Sequence, residues 1–87
     1  MHNRPILYFF FMQGCGACEE AKPELDKFAK AHPDIHIARV DLSKVNWRSP
    51  VWQPSVTPTY GWLVPGQRLR VREGLHRADD LGKWVRS

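Results

Sequence analysis

Seven consecutive apolar residues, Ile6-Leu7-Tyr8-Phe9-Phe10-Phe11-Met12, run into Gly14-Cys15-Gly16, and beyond that point the apolar residues recur at helical spacing. A short run with no polar face suits a strand buried on both sides, as in a sheet with parallel pairing and covered faces. From Cys15 to His32, Cys18, Ala21, Leu25, Phe28 and Ala29 fall on one helical face, and Glu19, Glu20, Lys22, Asp26, Lys27 and Lys30 fall elsewhere. The spacing predicts a helix that ends at Pro33, is kinked at Pro23 where the backbone bond to Glu19 is lost, and carries a weak Asp26–Lys30 surface pair.

A second strand reads as Ile35–Val40, ending near Asp41. Residues 43–56 are rich in Pro, Ser and Trp, with a short helix expected around Val45–Trp52. Tyr60–Val64 and Leu69–Glu73 form a hairpin across Pro65-Gly66, a pair suited to a type II turn. Leu69 and Val71 alternate with Arg68, Arg70 and Arg72, which marks an edge strand with one wet face. Arg77–Arg86 closes the chain as a helix with Asp79 and Asp80 in its first turn, Lys83 and Arg86 in its last, and Leu81, Trp84 and Val85 as its buried stripe. The 87 residues fit one domain, 1–87, with an ordinary globular composition.

Charge narrows the possible partners. The net charge of +4 is scattered, and the basic residues are not interleaved with aromatics on one face, so no nucleic-acid partner is expected. Arg4 ahead of the apolar run and Gly14-Cys15 behind it give the outline of a secretory signal. Seven residues is the lower limit for such a segment, Met12 and Gln13 are poor residues before a cleavage site, and the run is far too short to span a bilayer. A cytoplasmic protein with no membrane partner is the expectation.

The two cysteines lie three positions apart, and a loop that short closes too little chain to act as a structural staple. Zinc needs four ligands, and His2, His32, His36 and His76 stand at no ligand spacing from the pair, so no metal is expected. The position of Cys15-Gly16-Ala17-Cys18 between a strand and a helix instead points to redox chemistry. Free N–H groups and the positive dipole at a helix start stabilise an anion, so the Cys15 thiol should ionise more readily than free cysteine. Cys18, one turn deeper, is placed to close a disulfide with it. Cys15 is therefore the expected nucleophile and Cys18 the resolving thiol, while Gly14, Gly16 and Ala17 leave room for a substrate disulfide.

Over nearly its whole length the chain resembles the thioredoxin-fold family. The CGAC segment, Pro23 at the kink position, Val56-Thr57-Pro58-Thr59, Trp52 upstream of it, the Pro65-Gly66 turn and Gly74 after the last strand carry the resemblance. It implies a three-layer α/β fold, a four-stranded mixed sheet flanked by about three helices, without the additional N-terminal strand and helix of full-length thioredoxins. It also implies a cis Thr57–Pro58 bond beside the nucleophile, with Thr57 and Pro58 meeting an extended substrate strand. The implied activity is reduction of protein disulfides by a monomer with no bound cofactor. A thioredoxin-reductase-like partner or glutathione would supply the reducing equivalents.

Some residues depart from the pattern. Gly14 stands where thioredoxins carry a tryptophan, and Phe9 where they carry a buried aspartate that assists the resolving step. Glu24 is either a substitute for that acid or a solvated helix residue. Ala78-Asp79-Asp80-Leu81 resembles the glutaredoxin segment that holds glutathione, which keeps a glutathione-dependent enzyme as one alternative. A binding module that contacts a larger enzyme through Trp47 and Trp52 is another.

Overall fold

A computed structural model describes residues 4–48 and 52–87. The elements run β1 (Ile6–Phe11), α1 (Gly16–Ala31), β2 (His36–Asp41), β3 (Thr59–Leu63), β4 (Arg70–Glu73) and α2 (Ala78–Arg86). The sheet order is β2-β1-β3-β4, with β1–β2 parallel and the other two pairs antiparallel. The apolar run is thus a central strand, and the arginine-bearing strand lies at an edge as its alternation predicts.

The period of two along β1 divides the core. Leu7, Phe9 and Phe11 face one side, where α1 and α2 cover them with Ala21, Leu25, Phe28 and Leu81. Leu7, Leu25, Phe28 and Leu81 have no solvent exposure there. Tyr8 and Phe10 face the other side, where Trp47 packs edge-on against both and Trp52 tilts onto Phe10. Gly61 of β3 also lies on this side, and a Cβ there would come within 3.3 Å of Leu69 Cδ1 and 3.4 Å of Tyr8 Cβ.

The expected third helix is not formed among the described residues. Residues 45–48 and Trp52 are irregular, and the remainder of the predicted Val45–Trp52 helix lies outside the described residues. The chain has two helices among the described residues, and an irregular segment forms the third layer. The physical reason is that Trp47 and Trp52 gain more by packing edge-on and tilted against the aromatic sheet face than a short helix interrupted by Pro50 would gain by propensity.

Helix α1 continues through Pro23 and ends at His32, whose N–H bonds to Phe28 and Ala29 carbonyls and whose ring stacks on Phe28. The Asp26–Lys30 pair is also overturned: Asp26 instead receives Arg39 from β2 at 2.8 Å, a neighbour that only the folded chain supplies. At the hairpin, Gln67 N–H donates to Val64 O at 2.9 Å and Gly66 has φ +83°, the type II turn expected of Pro65-Gly66.

Candidate functional site

The site forms where β1 ends. Cys15 is the N-cap of α1, in extended conformation, with its carbonyl accepting the Glu19 N–H at 3.2 Å. Its Sγ stands where a capping oxygen would and accepts the Cys18 N–H at 3.1 Å. A second donor, the Thr57 hydroxyl, reaches the same sulfur at 3.5 Å, and the Thr57 carbonyl oxygen lies 3.8 Å from it. Cys15 and Cys18 are joined as a disulfide, with Cα atoms 5.2 Å apart. Their exposure differs sharply: Cys18 is 1% exposed, while Cys15 stays half-open at the rim.

The surroundings keep the approach to Cys15 clear. Gly14, Gly16 and Ala17 are all exposed, and a Cβ on either glycine would meet nothing within 4 Å. Gly14 has φ +79°, a conformation that side chains resist, so it also makes the turn from strand to helix. Behind it, Gln13 N–H donates to Ser43 Oγ at 2.9 Å and Gln13 Nε2 to Asp41 Oδ2, which ties this turn to the end of β2.

Thr57–Pro58 is cis, as the resemblance implies. Pro58 is buried, and its carbonyl accepts the Gly74 N–H at 2.9 Å. Thr59, fully buried, donates its hydroxyl to Val56 O at 2.7 Å. These two bonds hold the loop with Thr57 against the disulfide. All seven residues singled out from the sequence, Gly14, Cys15, Gly16, Ala17, Cys18, Thr57 and Pro58, therefore gather at one end of the sheet.

Sequence reasoning missed the apolar cleft beside them. Met12, Leu42, Pro54, Ser55, Val56 and Thr57 line a hollow of about 180 Å³. Met12 and Val56 are exposed in it, at 45% and 47%. The exposed tail of the apolar run was the available signal: Met12 extends past β1, where the core has no use for it.

Glu24, half-buried, makes contacts that the sequence did not suggest. Its Oε1 accepts the Ala78 N–H at 2.9 Å, and its Oε2 receives Lys27 Nζ at 2.9 Å. Arg77, the N-cap of α2, offers no side-chain cap, so the carboxylate from α1 supplies it. The Ala78 N–H, then Lys27, hold the Glu24 carboxyl below its ordinary range.

Phe9, at 1% exposure, fills the position of the family's buried acid with hydrocarbon. Across the ladder from it is Tyr60, also fully buried, with ring centroids 5.4 Å apart. The Tyr60 hydroxyl has no hydrogen-bond partner among the described residues. Burial, with the Glu24 charge adding to it, pushes its pKa up to about 12.

A half-open sulfur at a helix start, its partner one turn below, and a cis-proline loop against both define a dithiol–disulfide centre on a thioredoxin fold. The chain belongs to the thioredoxin family, whose model, described as thioredoxin, matches residues 1–87. A curated relative, thioredoxin-2 of Pyricularia oryzae, is 27% identical over 64 residues; the match covers 74% of this chain and 37% of the relative's length. The chain thus spans well under half of that protein. Among solved structures, a thioredoxin-2 from a malaria parasite superposes with a TM-score of 0.88 at 26% identity, covering 99% of this chain and 84% of that one. Fasciola hepatica thioredoxin gives a TM-score of 0.83 at 24% identity, over 97% of this chain and 80% of that one, a likeness of fold alone.

Proposed function

We propose that this chain is a thiol–disulfide oxidoreductase that reduces disulfides in proteins. The observation that carries the reading is the asymmetry of the pair: Cys15 Sγ is half-open with two donors aimed at it, and Cys18 is enclosed. The donors and the helix start favour the Cys15 thiolate once the pair is reduced. That thiolate attacks one sulfur of a substrate disulfide; the other substrate sulfur leaves as a thiolate and takes a proton from water. Cys18 loses its proton and attacks the Cys15 sulfur of the mixed disulfide. The Cys15–Cys18 bond forms, and the substrate leaves fully reduced. Two electrons have passed from the pair to the substrate, and no bound cofactor is required. A reductase or glutathione returns them, in a reducing compartment that we take to be the cytoplasm.

A protein substrate is favoured over glutathione by one feature. The Ala78–Leu81 segment, through which the glutaredoxin alternative would hold glutathione, already has its first N–H bonded to Glu24, and Asp79 and Asp80 add negative charge beside it. The binding-module alternative is less favoured, because Trp47 and Trp52 put part of their surface into packing on Tyr8 and Phe10.

The test is reduction of insulin disulfides with dithiothreitol as the electron source. Cys15→Ser should abolish the reaction, and Cys18→Ser should accumulate a mixed disulfide visible in the intact mass. Full activity in Cys15→Ser would end the proposal.

A further inference from the structure

We propose that Met12 is a reversible oxidation site whose state sets how well the cleft beside Cys15 receives a protein substrate. The inference rests on the disulfide-exchange reading and adds a control to the same site.

Three observations meet at this residue. Its side chain lines the cleft with Leu42, Pro54, Ser55, Val56 and Thr57. The residue is 45% exposed, which opens its side chain to a dissolved oxidant. The far wall of the cleft, Thr57, touches the nucleophile through its hydroxyl. A polypeptide whose disulfide lies on Cys15 therefore sets a neighbouring side chain over Met12. The hydrocarbon of Leu42, Pro54 and Val56 suits an apolar group there, and an unbranched thioether adapts to groups of different shape.

Peroxide changes that surface in one step. The thioether sulfur gives two electrons to the peroxide, the O–O bond breaks, one oxygen bonds to sulfur and the other leaves as water. The product is a sulfoxide, polar and stiffer than the thioether. Of the side chains lining the cleft, only the Ser55 and Thr57 hydroxyls can donate to it, and Thr57 is already turned to Cys15. Docking an apolar side chain would then desolvate the sulfoxide without replacing its bonds to water. Substrate binding weakens while the sulfur pair itself is untouched. A methionine sulfoxide reductase returns the original side chain.

The experiment treats the Cys15–Cys18 disulfide form with hydrogen peroxide, so that neither thiol competes. The chain has two methionines, Met1 and Met12, so peptide mass mapping locates the added oxygen. Oxygen on Met12 should raise KM for insulin roughly tenfold, with kcat little changed and turnover of the small substrate hydroxyethyl disulfide unaffected. Methionine sulfoxide reductase should restore KM. Met12→Leu sets its own baseline, which peroxide should not move, and Met12→Gln should show the raised KM without treatment. The proposal is overturned if Met12 stays unmodified when free methionine is oxidised. An oxidised Met12 with an unchanged KM, or an equal loss on both substrates, also overturns it. Failure of the untreated protein to reduce insulin is a different result, which removes the disulfide-exchange reading and this inference with it.

Discussion

Thr57 shows how much one side chain contributes at the nucleophile. A hydrogen bond to an ionised sulfur stabilises the anion over the thiol, so removing it should make reduced Cys15 less reactive. Thr57→Val should slow alkylation of Cys15 by iodoacetamide at neutral pH by about two- to fivefold. Thr57→Ser, which keeps the donor, should retain the rate; equal rates in all three proteins would show that the hydroxyl is idle. Tyr60 is the opposite case, a buried hydroxyl with nothing to bond among the described residues. Its pKa is raised from 10.0 to about 12, so the folded state holds its proton more tightly than the unfolded state does. Stability from this group is complete below pH 10 and is lost as the pH rises toward 12. Tyr60→Phe should therefore be neutral or stabilising by up to about 1 kcal/mol at pH 7, and should flatten the alkaline fall in the urea midpoint. An unchanged alkaline slope would contradict the assignment.

At the scale of elements, the junction of α1 and α2 depends on a carboxylate in the middle of α1, far in sequence from the helix end that it caps. Glu24 bonds Ala78 across 54 positions and fills a cap that Arg77 leaves open. Its folded pKa lies below the ordinary 4.5, so the stability it adds is present above that value and lost as the pH falls through the lower folded one. Glu24→Gln keeps an acceptor for Ala78 but removes the charge. The variant should be less stable than the parent at neutral pH, and the gap should close in urea titrations taken from about pH 5 down to pH 2. A gap that stays constant would mean that the charge does nothing there. The disulfide chemistry should survive this change, since Glu24 makes no contact with Cys15 or Cys18 among the bonds of the site.

For the whole molecule, the sheet has two unlike coverings. Helices α1 and α2 share one face, with side chains such as Leu25, Phe28 and Leu81 wholly enclosed. Trp47 and Trp52 provide much of the other covering, which places much of that face's packing on two aromatic rings. Trp47 is only half-buried, so Trp47→Ala should cost about 2–3 kcal/mol, less than an enclosed tryptophan would. Domains of this size have roughly 5–10 kcal/mol in total, so the loss should appear as a large drop in the urea midpoint with native-like circular dichroism retained. A shift under about 0.5 kcal/mol would show that the ring merely lies on the surface.

The strands, both helices, the hairpin turn and the Cys15–Cys18 pair are all legible in the chain, because each is written in local period or in adjacent residues. An apolar run, a 3.6-residue stripe and Pro65-Gly66 need no distant partner to be read. The irregular path of residues 45–48, the Asp26–Arg39 pair, the Glu24 cap and the cleft around Met12 are settled by contacts between segments far apart in sequence. Periodicity carries no information about which residue on another segment will lie opposite. The sequence alone determined the four strands, the two helices and the pair of sulfurs placed at a helix start. Tertiary structure decided what surrounds those sulfurs, because donors such as the Thr57 hydroxyl reach Cys15 only after the sheet has brought its strand ends together.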